Sequence, residues 1–117
     1  MEQVALWIPA IHHHGSFAMY GLIGKMIAAP GQRDALLEIL LGSIGEMPGC
    51  LSYVIAKAPN DADAIWITEV WDSAESHKAS LQLPAVQATI AKARPLIKGF
   101  DSHIETIPLG GPGLKRK

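Results

Sequence analysis

Prolines divide this chain into segments that each have room for one strand or one helix. Pro30-Gly31, Pro48-Gly49, Pro59-Asn60, Pro84 and Pro95 punctuate it from residue 30 onward. Proline has no backbone N–H and a fixed φ, so none of these positions suits the interior of a central strand or helix. Between them the apolar spacing switches repeatedly. Residues 20–29 are an apolar run of strand length, stopped by Pro30-Gly31. Residues 32–47 have helical spacing, with Leu36, Leu40 and Ile44 on one stripe and Leu37, Leu41 and Met47 widening it. Gly42 and Gly45 weaken the last turn, each by ~1 kcal/mol relative to alanine.

Residues 50–58 read as a second strand with Leu51, Tyr53 and Ile55 on one face. The cluster Pro59-Asn60-Asp61-Ala62-Asp63 turns the chain into a third strand over 64–72, giving a hairpin. Ser73 suits the N-cap of a helix running to about Leu81. Pro84 restarts a helix whose apolar side holds Val86, Ile90 and Ala93, and Pro95 falls near its end. Residues 100–108 form a fourth strand, with Phe100, Ser102, Ile104 and Thr106 sharing a face.

The order β-α-β-β-α-β predicts an α+β fold of the ferredoxin-like kind, a two-layer sandwich of four antiparallel strands with helices on one face. Two layers leave one sheet face open, yet the third strand is apolar on both. Trp66 and Val70 point one way, and Ile65, Ile67 and Trp71 the other. An open face this apolar exceeds what soluble monomers usually expose, so a homodimer packed sheet against sheet is expected.

The 117 residues suit one domain, placed at 19–110. Residues 1–18 read as an extension outside it, and 111–117, opened by Gly110-Gly111-Pro112-Gly113, as a flexible basic tail. His12, His13 and His14 are adjacent on that extension and cannot all face one ion, so they are set aside. A net charge of −1 offers no footprint for nucleic acid or an anionic membrane. No apolar run approaches the roughly 20 residues of a membrane span. Cys50, the sole cysteine, excludes an intrachain disulfide, and a cytoplasmic location is expected.

Candidate chemistry concentrates between Glu69 and Ser80. A carboxylate at Glu69, among Ile65, Ile67 and Trp71, needs a cation or a donor beside it. It reads either as a base or substrate acceptor, or as a structural partner of a lysine or arginine. His77 stands one turn into the following helix, where imidazole suits proton transfer from a phenol near neutral pH. It reads equally as a surface histidine beside Lys78. Trp66 and Trp71 read as core or interface aromatics or as stacking platforms, and Tyr53 as a ligand donor from the neighbouring strand. Arg94 and Lys98 fall near the mouth of the last helix. No phosphate loop, metal-ligand spacing or dinucleotide fingerprint is present, so neither metal nor cofactor is expected.

Three segments together, YGLIGKMIAAPGQRDALLEIL, MPGCLSYVIA and IWITEVWDSAESHKASLQLPAVQATI, resemble the antibiotic biosynthesis monooxygenase family from about Met19 to Gly110. The resemblance implies a dimeric α+β barrel that oxygenates a quinol-like or phenolic aromatic with dioxygen and without a cofactor. It implies His77 as a candidate base, Glu69 orienting a partner, and Trp71 and Tyr53 lining the cavity; Trp66 and Ser80 are further expected substrate-binding residues. Ser80 occupies the position where many relatives carry a histidine. Gly24 stands where haem-degrading relatives carry an asparagine, which argues against haem degradation. The alternative is a non-catalytic dimeric module that binds a small hydrophobic molecule or haem.

Overall fold

The computed structural model describes residues 18–43, 45 and 47–114. The expectations for residues 1–17, including the three histidines, for Ile44 on the helical stripe and for 115–117 lie outside the described residues. Strand β1 is Tyr20–Ala28, helix α1 Arg33–Gly42, β2 Cys50–Lys57 and β3 Ala64–Trp71. Helix α2 is Ala74–Ser80 and α3 is Pro84–Ala93; a 3₁₀ turn, Arg94–Leu96, leads into β4, Ile97–Thr106. The strands form one antiparallel sheet in the order β2-β3-β1-β4. This is the ferredoxin-like α+β fold.

The core lies between the sheet and the helices. Leu36 and Leu37 of α1 and Ala93 of α3 pack on Met26, Ala28, Ile65 and Ile67 of the two central strands. Each fully buried aliphatic side chain of this kind contributes about 1.5–3 kcal/mol. The proline–glycine turns pin these elements in place. Gly31, at φ 77°, donates its N–H to Asp63 Oδ1 at 3.2 Å. Beside it the Arg33 guanidinium donates to the carbonyls of Ala58, Asp61 and Ala64 at the β2–β3 hairpin. Gly49, at φ 87°, lies so close to α2 that a Cβ there would stand 2.5 Å from that of Ser76. The Gly49 carbonyl accepts the Asp72 N–H at 2.8 Å, which holds the end of β3 against the start of β2. Ser73 then caps α2 by accepting the Ser76 N–H at 3.1 Å.

Two elements depart from the sequence-based expectation. Helix α1 stops at Gly42, short of Met47. Both the N–H and the hydroxyl of Ser43 donate to the Leu40 carbonyl, which turns the chain out of the helix just after the first glycine. Strand β4 begins at Ile97 rather than Phe100, because the 3₁₀ turn at Pro95 delivers the chain straight onto β1, where Ala29 N–H meets the Leu96 carbonyl at 2.8 Å. Lys25 then pairs with Ser102 but Met26 with Phe100, so Asp101 is an extra, bulged residue. The bulge rotates Phe100 onto the helix-bearing face, away from Ser102 and Ile104 with which alternation had grouped it.

None of the described helices covers the other sheet face. Val54 and Ile104 are 54% and 51% exposed there. Trp66 lies on that face with Lys25 Nζ 5.5 Å above its ring, and Lys25 pairs with Asp101 at 3.4 Å.

Candidate functional site

Between the sheet and the helices a cavity of about 310 Å³ opens. Met26 and Ile67 form part of its floor, Leu40 and Ile90 its helical wall, and Phe100, 67% exposed, stands at its edge. The loop after α1 contributes Met47, which the early end of that helix releases from the helical stripe.

One end of the cavity is polar. Glu69 and Trp71 are two residues apart on β3 and therefore share a face. The Trp71 indole N–H donates to Glu69 Oε1 at 2.9 Å. This is the donor that a carboxylate in apolar surroundings needs, and with Trp71 only 1% exposed the bond is shielded from solvent. His77 Nε2 lies 3.9 Å from the same oxygen. The spacing leaves the two groups adjacent without a direct hydrogen bond. The side chains of Glu69 and His77 are mostly buried.

Two rings hold His77 in position. Trp71 meets it edge-on, with centroids 5.4 Å apart and planes at 69°. Tyr20 lies against it at 5.4 Å, tilted by 38°. Tyr20 escapes sequence reasoning: only the β1–β3 register, which sets Tyr20 opposite Trp71, reveals it beside the site. Its hydroxyl donates to Glu105 Oε2 at 2.8 Å. Burial first, then the hydrogen bond and charge of Glu105, push its pKa well above the ordinary tyrosine range.

Ser80 is buried and lines the cavity, and its hydroxyl donates to the His77 carbonyl at 2.6 Å, bracing the turn that carries the imidazole. Tyr53 lines the cavity from β2, directly opposite Glu69 in the register. Burial, with the Glu69 charge next, pushes its phenol pKa far up. The structure thus brings together Tyr53, Glu69, Trp71, His77 and Ser80. It does not bring Trp66, which stands on the opposite sheet face; alternation along β3 places it one step out of phase with Glu69 and Trp71. Arg94 and Lys98 are exposed and do not line the cavity. Among the described residues, no three His, Cys, Asp or Glu side chains are grouped to hold a metal ion, and no helix is long and apolar enough to cross a membrane.

The fold and a largely apolar cavity with one polar end define a small α+β domain with a candidate small-molecule site. Residues 19–92 match the antibiotic biosynthesis monooxygenase family, and the chain belongs to that family. A solved Chloroflexus aurantiacus protein, described as a candidate antibiotic biosynthesis monooxygenase, is 67% identical over 83% of this chain and 99% of its own, with a TM-score of 0.80. A Pseudomonas aeruginosa structure (19% identity, 80% of this chain and 96% of its own, TM-score 0.70) shares the fold. So does one from Caulobacter crescentus (16% identity, 85% and 95%, TM-score 0.69). No curated protein matches the chain.

Proposed function

We propose that this protein is a homodimeric, cofactor-independent monooxygenase acting on a quinol-like or phenolic aromatic. The observation that carries this reading is the Glu69–His77 pair, 3.9 Å apart and walled by Trp71 at the polar end of an otherwise apolar cavity. A substrate hydroxyl that donates to His77 Nε2 at about 2.8 Å lies beside the Glu69 carboxylate. In that position His77, held by the Trp71 and Tyr20 rings, takes the proton and Glu69, held by the Trp71 indole, balances the positive charge. Trp71, Tyr53 and Ser80 shape the surrounding wall.

Removing the proton makes the conjugated ring electron-rich enough to reduce dioxygen. One oxygen atom enters the ring product and the other leaves as water, taking up the protons released. The hydroxyl O–H bond and the C–H bond at the oxygenated carbon are both broken, a C–O bond is formed and the ring leaves at the quinone oxidation level, so the substrate supplies all four electrons that dioxygen takes up and both hydrogens of the water. Support for a homodimer comes from the open apolar face carrying Val54 and Ile104.

The test is oxygen uptake by chelator-treated protein across a panel of hydroquinones and anthrols. The wild type is expected to turn over at least one of them, and His77→Ala to lower turnover at least tenfold with the fold intact. Saturable binding without uptake on any of them moves the protein to the non-catalytic binding class.

A further inference from the structure

Polar side chains reach the cavity from several walls, but most have already committed their protons. The hydroxyls of Ser43, Ser80 and Thr89 donate to the carbonyls of Leu40, His77 and Ala85 at 3.0, 2.6 and 3.0 Å. The Trp71 indole N–H is taken by Glu69. Tyr53 differs. Among the described residues, nothing accepts a hydrogen bond from its hydroxyl, although the side chain lines the cavity and is half-buried.

Folded proteins rarely leave a polar group without a partner in apolar surroundings, and where they do a bound molecule commonly supplies it. Burial and the neighbouring Glu69 charge keep the phenol protonated, so it is a donor throughout the ordinary pH range. Directly across the β2–β3 ladder stands Glu69, a carboxylate that accepts hydrogen bonds. An available donor and an acceptor therefore face one region of the cavity from adjacent strands.

We infer that the Tyr53 hydroxyl is the cavity's anchor for an acceptor oxygen on the ligand, which makes the ligand an aromatic carrying a carbonyl-type oxygen in addition to the hydroxyl that donates to His77 beside Glu69. This rests on the cavity being the substrate site. It narrows the substrate class: a phenol with a single oxygen leaves Tyr53 unpaired, and a site built to bond an oxygen discriminates against ligands that lack it. Once the hydroxyl has lost its proton, charge delocalised through the ring onto the second oxygen is met there by the Tyr53 donor.

Two probes of one skeleton test this without catalysis: 1-tetralone, which has a carbonyl, and tetralin, which has none. Tyr53→Phe is expected to weaken 1-tetralone binding about five- to tenfold and to leave tetralin within about twofold. The carbonyl stretch of 1-tetralone bound to the wild type is expected below its frequency in alkane, a reading that needs no variant to fold. Equal weakening of both probes, an unshifted stretch, or no saturable binding of either overturns the inference. A tetralone preference without oxygen uptake on any quinol sinks only the oxygenase reading. His77-dependent uptake without that preference sinks only the Tyr53 anchor.

Discussion

The bond between the Trp71 indole and Glu69 is the part of the site whose energy is most directly readable from the structure. Trp71→Phe removes the 2.9 Å N–H donor and part of a ring that is 1% exposed. Loss of a hydrogen bond to a charged group costs about 1.5–3 kcal/mol. The smaller ring adds about 1–2 kcal/mol from lost transfer and incomplete collapse. The expected total of about 2.5–5 kcal/mol is a large share of a stability that for small domains is about 5–15 kcal/mol. Only the first part depends on Glu69. A double-mutant cycle with Glu69→Gln therefore separates the two, since glutamine keeps an acceptor oxygen but loses the charge. We predict a coupling of about 1–2 kcal/mol, read from urea unfolding at fixed protein concentration with unchanged m-values. A coupling within about 0.5 kcal/mol of zero would refute the indole as the anchor of the carboxylate, and Trp71 would then be a packing residue alone.

Further predictions follow from the tyrosines and from the open face. The chain's two tyrosines, Tyr20 and Tyr53, both have pKa values raised above the ordinary value of about 10. Native protein is therefore expected to show no tyrosinate absorbance as pH passes 10, whereas titration of either residue at its ordinary value contradicts the buried setting. Above pH ~10 the unfolded chain releases a Tyr53 proton that the folded chain keeps, so stability falls as pH rises, by up to about 1.4 kcal/mol per pH unit from this residue. The same stability curve for Tyr53→Phe is expected to be shallower, and equal slopes would contradict the assignment. Light scattering is expected to give twice the chain mass at micromolar concentration, and Ile104→Lys or Val54→Lys to halve it. A monomeric wild type removes the sheet-to-sheet dimer.

Much of the fold was legible because its boundaries coincide with residues that cannot continue an element. Pro30-Gly31 and Pro48-Gly49 end one element and position the next, and Gly49 is required by its backbone angle and its contact with α2. The apolar spacing through Met47 misled for a physical reason: a side chain can face the interior from a loop as well as from a helix, and Met47 lines the cavity without belonging to α1. Alternation groups Phe100 with Ser102 and Ile104, but one bulged residue, Asp101, inverts the pattern there, and no local pattern announces a bulge.

Within the site, Glu69, Trp71 and His77 were readable together because two-residue spacing and a following cap place them at one strand-to-helix junction. Trp66 is separable by the same alternation that joins Glu69 and Trp71. Tyr20 was not readable, since its contact with His77 depends on strand register across the sheet. The committed protons of Ser43, Ser80 and Thr89 were equally hidden, because each bond is to a backbone carbonyl of its own helix.

Isotope labelling tests the central claim most directly. A turned-over quinol or anthrol, supplied with ¹⁸O₂ and chelator-treated protein, is expected to give product carrying one labelled oxygen, with the second recovered in water. The label is expected to fall away in step with turnover in His77→Ala. Unlabelled product accompanied by hydrogen peroxide, or labelled product formed equally well without His77, would contradict a monooxygenase that works through the Glu69–His77 pair.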